Sequence, residues 1–253
     1  MSTVVFSIRE SIKAGWNLTI KHFWLLVGSF MFMVAMQVIP QAIMQVFFRG
    51  SMDSVRATIV RIPLLIILGL LFYVINLVLQ VGSTKMNLKI IRHEPTGFKE
   101  LFTNNKYLVN FFLASLLYGL VILLAMIPLI LIAALFGFGF LMSLTKSDTT
   151  HSLIYSLVAV TGIILAAIPA AYFSIKYEYF SYFLVDHNLG PVEAFKKSAQ
   201  ATRGIKLKLL VLPLALALVN LLGFLAIGIG LLVSIPITIL ANAYVYNVIS
   251  KRV

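Results

Sequence analysis

Six long apolar runs separated by short polar stretches dominate the pattern of this chain. The first covers residues 22–48 and is interrupted by Pro40; the second covers 62–82. The polar loop between them, residues 49–61, carries Asp53 and Arg56. The third run, 107–142, is the longest and contains Pro128, Gly137 and Gly139. It reads as one kinked, tilted helix, the alternative being a span followed by a broken segment. After a short loop at 143–150, a fourth run starts at Leu153, passes Pro169 and ends in the aromatic-rich segment 172–183. The last two, 207–220 and 231–246, are joined by an apolar turn with Gly223, Gly228 and Gly230, and read as a tight hairpin or, alternatively, a re-entrant pair. About 20 helical residues cross roughly 30 Å of hydrocarbon, so the pattern predicts an all-α polytopic membrane protein with six transmembrane helices.

Amphipathic segments precede the first, third and fifth runs. Val5, Ile8, Ile12 and Trp16 recur at helical spacing opposite Arg9, Glu10, Lys13 and Asn17, and Ser7 with Glu10 has the form of a capping box. Phe98, Leu101 and Phe102 oppose Lys99 and Glu100. In residues 186–208, Pro191 suits a first helical position, Glu193 a first turn and Gly204 a helix end. Val192, Phe195, Ala199 and Thr202 form one face there, and Glu193 and Lys197 an i,i+4 pair on the other. The triplets at Glu10 and Ile12, Glu100 and Phe102, and Glu193 and Phe195 fall 90 and 93 residues apart. This predicts one integral-membrane domain, 1–253, of three parallel hairpin repeats (about 1–94, 95–188 and 189–253), each preceded by a short cytoplasmic amphipathic helix. The plainer alternative is that any six-span protein needs basic linkers.

Composition agrees with the pattern: 61% of the 253 residues are apolar and 11% charged, and mean hydropathy is +1.02. A formal charge of +12 would point to nucleic acid in a soluble protein. Here 16 of the 20 basic residues fall before the first run, between the second and third, from Lys176 to Lys208, or after the sixth; only Arg49, Arg56, Arg61 and Lys146 fall on the other side. That asymmetry predicts cytoplasmic termini and removes the nucleic-acid reading. The first run exceeds the 7–15 residues of a signal core and reads as a retained span. There is no cysteine, and so no disulfide or thiolate site.

Arg9, Lys13, Lys99, Lys196, Lys197 and Arg203 are placed to meet anionic lipid headgroups. Gln37, Gln41 and Gln45 line one face of the first span, and Asn76 and Gln80 repeat the spacing on the second. Such amides either fix helix packing or line a polar cavity. Lys176 and Glu178 sit among tyrosines, in an interfacial belt or at a functional depth. Asp186 and His187 are adjacent and point apart on a helix, without a nucleophile. The four histidines lack metal-ligand spacing. The glycine run 223–230 lacks the Lys and Ser or Thr of a phosphate loop.

Asp186, Gly190-Pro191, Ala194, Ser198 and Gly204, with Ile235-Pro236 and Ala243-Tyr244, resemble poorly characterised bacterial membrane proteins related to the membrane domain ahead of some glycerophosphoryl diester phosphodiesterases. The likeness covers residues 177–249 and implies a bacterial inner-membrane location and six spans, with no assigned chemistry. The expected function is a non-enzymatic, envelope-related inner-membrane protein that engages lipid or a membrane-protein partner, without cofactor or metal. The alternatives are a small transporter or channel lined by amides of the first two spans, and an accessory subunit of a membrane complex.

Overall fold

In hydrocarbon a backbone amide has no partner outside its own helix, and every apolar run folds accordingly. The computed structural model describes residues 6–49, 55–103, 105–145, 149–226 and 228–253. Val5, Asp53 and Lys146 lie outside them, and the side chains of Arg49, Arg56, Arg61 and His151 are likewise outside what is described. The helices are α1 (Ile8–Lys21), α2 (Phe23–Arg49), α3 (Val55–Ile91), α4 (Leu108–Thr145), α5 (Thr149–Tyr177), α6 (Phe180–His187), α7 (Pro191–Ala201), α8 (Lys206–Leu225) and α9 (Leu231–Ile249). Among the described residues, six stretches are long and apolar enough to cross a membrane: Phe23–Ile43, Pro63–Ile91, Leu108–Ile132, Ser156–His187, Lys206–Leu225 and Leu231–Arg252. The protein is thus an all-α, polytopic membrane protein.

The third run is one continuous helix of 38 residues with Pro128 inside it. The second span differs from its predicted end at Gly82, for α3 continues to Ile91 and carries Lys85 and Lys89 on its last turns. Their charge is tolerated there because Glu100 folds back beside both, with its carboxylate 4.0 Å from Lys85 and 2.5 Å from Lys89. The fourth run also departs from one uninterrupted span: α5 ends at Tyr177 and α6 restarts at Phe180.

The predicted amphipathic segments take different forms. Residues 98–101 make a single 3-10 turn, since Pro95 and Gly97 precede it and only a few residues follow before α4 starts at Leu108. Leu101 is fully buried there, and its backbone occupies the space a side chain at Gly82 would need. Helix α1 starts after Ser7 as predicted, but the capping box does not form: the Ser7 side chain makes no cap bond. Instead the Ser7 carbonyl accepts the amide of Ser11 at 2.9 Å and its hydroxyl at 2.8 Å. Its buried face is Ser11, Gly15, Leu18 and Thr19, whereas Trp16 of the apolar stripe is 51% exposed. The reason is close packing: a Cβ at Gly15 would lie 2.5 Å from the Ile237 carbonyl oxygen, so small residues must face α9. Helix α7 begins at Pro191 with Glu193 in its first turn, and Gly204 beyond it takes φ +79°. It buries Ala194, Phe195, Ser198 and Ala201. Val192 is exposed, and among the described residues no ion pair joins Glu193 to Lys197.

Helix α9 is the central post, touching α1, α2, α3 and α8. The glycine turn before it lets α8 approach closely, since a Cβ at Gly223 would run into Ser234. The main core gathers Phe6, Leu88, Tyr107, Phe183, Ala194, Ile205, Leu209, Tyr246 and Ile249 at one end of the bundle, called the base below.

Candidate functional site

Polar chemistry concentrates at the base, where three distant segments meet on one carboxylate. Arg92, just past the end of α3, donates from Nη1 to Asp186 Oδ1 at 2.7 Å and from Nη2 to Oδ2 at 2.6 Å. The Tyr246 hydroxyl on α9 donates to Oδ2 at 2.8 Å, and His187 Nε2 stands 3.5 Å from the same oxygen. The two-pronged bond to Asp186 raises the Arg92 pKa further above its ordinary value. Only 9% of the Asp186 side chain is exposed, so its charge depends on these donors. Aromatic rings enclose the group: Tyr182 stacks on Tyr246 at 5.0 Å, and Phe183 meets it edge-on at 4.9 Å.

A second cluster seals the interruption between α5 and α6. Breaking a helix strands backbone groups, and α7 supplies their partners. Ser198 Oγ donates to the Lys176 carbonyl at 3.1 Å and accepts the Tyr179 amide at 3.3 Å. The Thr202 hydroxyl also reaches the Lys176 carbonyl, at 3.3 Å. Arg252 donates to the Ala201 carbonyl at 3.1 Å, tying the segment after α9 to the end of α7.

The predicted lipid-facing cations are spread around this end. Arg9 and Lys13 are exposed on α1 beside Trp16, and these three line a shallow groove of about 630 Å³. Lys196 and Arg203 are exposed and Lys197 half-buried. Arg203, Lys206, Leu207 and Lys208 line a second groove of about 520 Å³, and Leu207 in it is 80% exposed. Lys99 is exposed on its 3-10 turn.

The intramembrane polar residues are not brought together. Gln37, Gln41 and Gln45 are exposed along α2. Asn76 is half-buried and donates to the Phe72 carbonyl of its own helix at 3.1 Å, and Gln80 is exposed one turn on. Lys176 Nζ lies 5.0 Å from the Tyr177 ring centroid and 5.7 Å from that of Phe173. Glu178 is half-buried at the break itself. Lys206, in turn, donates to the Tyr172 hydroxyl at 2.6 Å.

Sequence reasoning overlooked the partners of Asp186. It set Asp186 beside His187 as residues pointing apart, yet at the end of α6 the His187 ring comes to 3.5 Å from the Asp186 carboxylate. Arg92 was visible as one cation among several, and Tyr246 as the end of an apolar run; nothing local joined them. Among the described residues no group of three or more His, Asp or Glu is placed to hold a metal ion.

Residues 5–253 match the model of a family described as "Protein of unknown function (DUF975)", and the chain belongs to that family. No curated protein and no solved structure matches it.

Proposed function

Taking membership of that family as the premise, we propose that the protein is a non-enzymatic component of a bacterial inner membrane that holds anionic lipid headgroups against its base. The observation that carries this is the division of the basic side chains at that end. Lys85, Lys89 and Arg92 face carboxylates, Lys206 bonds to Tyr172 and Arg252 to a backbone carbonyl. Arg9, Lys13, Lys99, Lys196, Lys197 and Arg203 have no acidic partner among the described residues. Cations left over by the fold, beside an exposed Trp16 and Leu207, suit an interface where apolar groups enter lipid and charges meet phosphates.

Three parallel hairpin repeats with cytoplasmic termini belong to the same reading. Its support is the basic asymmetry of the sequence and the positions of α1, the 3-10 turn and α7, each ahead of a pair of spans. The likeness of residues 177–249 to the phosphodiesterase-associated membrane domain belongs to it as well, supported by the Pro191 start and Gly204 stop of α7. Replacing Lys196, Lys197 and Arg203 by Gln should lower co-purified phosphatidylglycerol on the order of 100-fold, at about 1 kcal/mol per cation. Lipid mass spectrometry reads the outcome, and unchanged retention ends the proposal.

One observation favours a second reading, an accessory subunit. Amides in hydrocarbon need partners, and the exposed Gln37, Gln41 and Gln45 stripe leaves a place for another membrane helix rather than a path between its own spans. Changing all three to Leu should abolish co-purification of that partner; an unaltered set of co-purified proteins would remove this reading.

A further inference from the structure

A cavity of about 560 Å³ lies where α3, α4 and α6 converge, away from the basic grooves. Its polar wall is a stripe on one face of α3, where Gln80, Ser83, Thr84 and Asn87 stand at successive helical spacings. Ser115 from α4 and Ser181 from α6 face it across the cavity. Asn87 is 3% exposed and makes one long bond, from its amide nitrogen to Ser83 Oγ at 3.4 Å. Gln80 is exposed at the rim and Thr84 half-buried beside it. Part of the remaining wall is aromatic, with Tyr118 stacked on Phe180 at 5.3 Å.

We infer that this cavity binds the uncharged, hydroxyl-bearing headgroup of a membrane lipid. Among the described residues no charged side chain lines it, so an anionic or cationic group would be desolvated there without a counter-ion. Amides and hydroxyls that both donate and accept match hydroxyl and ester oxygens instead. The volume falls within the range of small-molecule sites. The α3 stripe belongs to the segment Pro63–Ile91, long and apolar enough to span, which suits a ligand that is itself a membrane lipid.

The test uses the full chain in phosphatidylcholine nanodiscs doped with a photoactivatable diacylglycerol, followed by peptide mapping. Labelling is expected on residues 80–87 and 111–118, and excess unlabelled diacylglycerol should remove it. Ser115→Phe, which fills the cavity, and Gln80→Leu, at its exposed rim, should each reduce labelling at least fivefold with the thermal transition unchanged. Should Ser115→Phe fail to fold, Gln80→Leu decides. The Lys196, Lys197 and Arg203 to Gln variant should label normally, which separates this site from the basic grooves. Labelling spread along the lipid-facing side of α4, or full labelling in Gln80→Leu, would overturn the inference. Equal competition by phosphatidylglycerol would overturn the uncharged specificity, and displacement by millimolar free glycerol would overturn the lipid source.

Discussion

At the base, Tyr179, Phe183, Leu209 and Tyr246 are almost wholly buried and a single carboxylate ties α3, α6 and α9 together. Along the opposite part of the same helices, Leu64, Ile66, Ile67, Leu70 and Leu71 on α3 and Leu120, Leu123, Leu124, Ile130 and Leu131 on α4 are all exposed. In a water-soluble protein that exposure would signal aggregation. In a bilayer it costs little, because lipid chains solvate leucine as well as another leucine does. The contrast shows where the fold is specified. Close approach of backbones and bonds between distant segments are collected at one end, while the arms need only be apolar, helical and long enough.

Substitutions at the two ends should therefore differ in scale. The largest effect is expected for Gly82→Leu, since Leu101 backbone fills the space any side chain would take. We expect a loss of about 3 kcal/mol or more, measured by steric trapping in nanodiscs, with the 3-10 turn at 98–101 becoming accessible to protease. A loss below 1 kcal/mol would mean that this packing is dispensable. Next comes Asp186→Asn, which removes the charge and replaces one of the two acceptor oxygens with an NH2 donor facing Arg92 or Tyr246; about 2–3 kcal/mol is expected. Tyr246→Phe should cost roughly 1 kcal/mol, and the double variant less than the sum, because both act on one oxygen. Strict additivity would break the description of a single latch. Ser198→Ala should cost about 1 kcal/mol by stranding the Tyr179 amide and leaving the Lys176 carbonyl with only the Thr202 hydroxyl. The smallest effect is expected on the arms: Leu123→Ala should change stability by less than about 0.5 kcal/mol in lipid. A cost there matching that of Asp186→Asn would erase the distinction between the two ends.

The spans were legible because a bilayer imposes a length and a composition that a run of leucines cannot disguise. Residues 107–142 read correctly as one helix on those grounds. The last turns of α3 did not, because Lys85 and Lys89 look like loop residues until Glu100 is seen beside them. The packed face of α1 was not legible either: periodicity marks Trp16 as apolar and passes over Gly15, yet the surface of α9 admits only the smaller residue. Of the base, Asp186 stood out by its neighbours in the sequence, whereas its partners lie 94 and 60 residues away. Hydrophobic pattern carries no information about pairings at that distance. The cavity stripe on α3 shows the same limit: Asn76 and Gln80 mark part of the α3 register, but Ser115 and Ser181 acquire meaning only once α4 and α6 are in place.

The docking of α1 on α9 has a consequence for biosynthesis. The groove that receives Gly15 is made by Ile237 and Ala241, roughly 220 residues later in the chain. At translation rates of about 5–20 residues per second, α1 waits roughly 10–45 s for its partner to be synthesised. Through that interval the small-residue face of α1 is uncovered, and the carboxylate of Asp186, once made, still lacks Tyr246. Completion of the base is therefore a late event in synthesis, and a ribosome stalled before α9 would leave behind a chain with spans already helical and no core to join them.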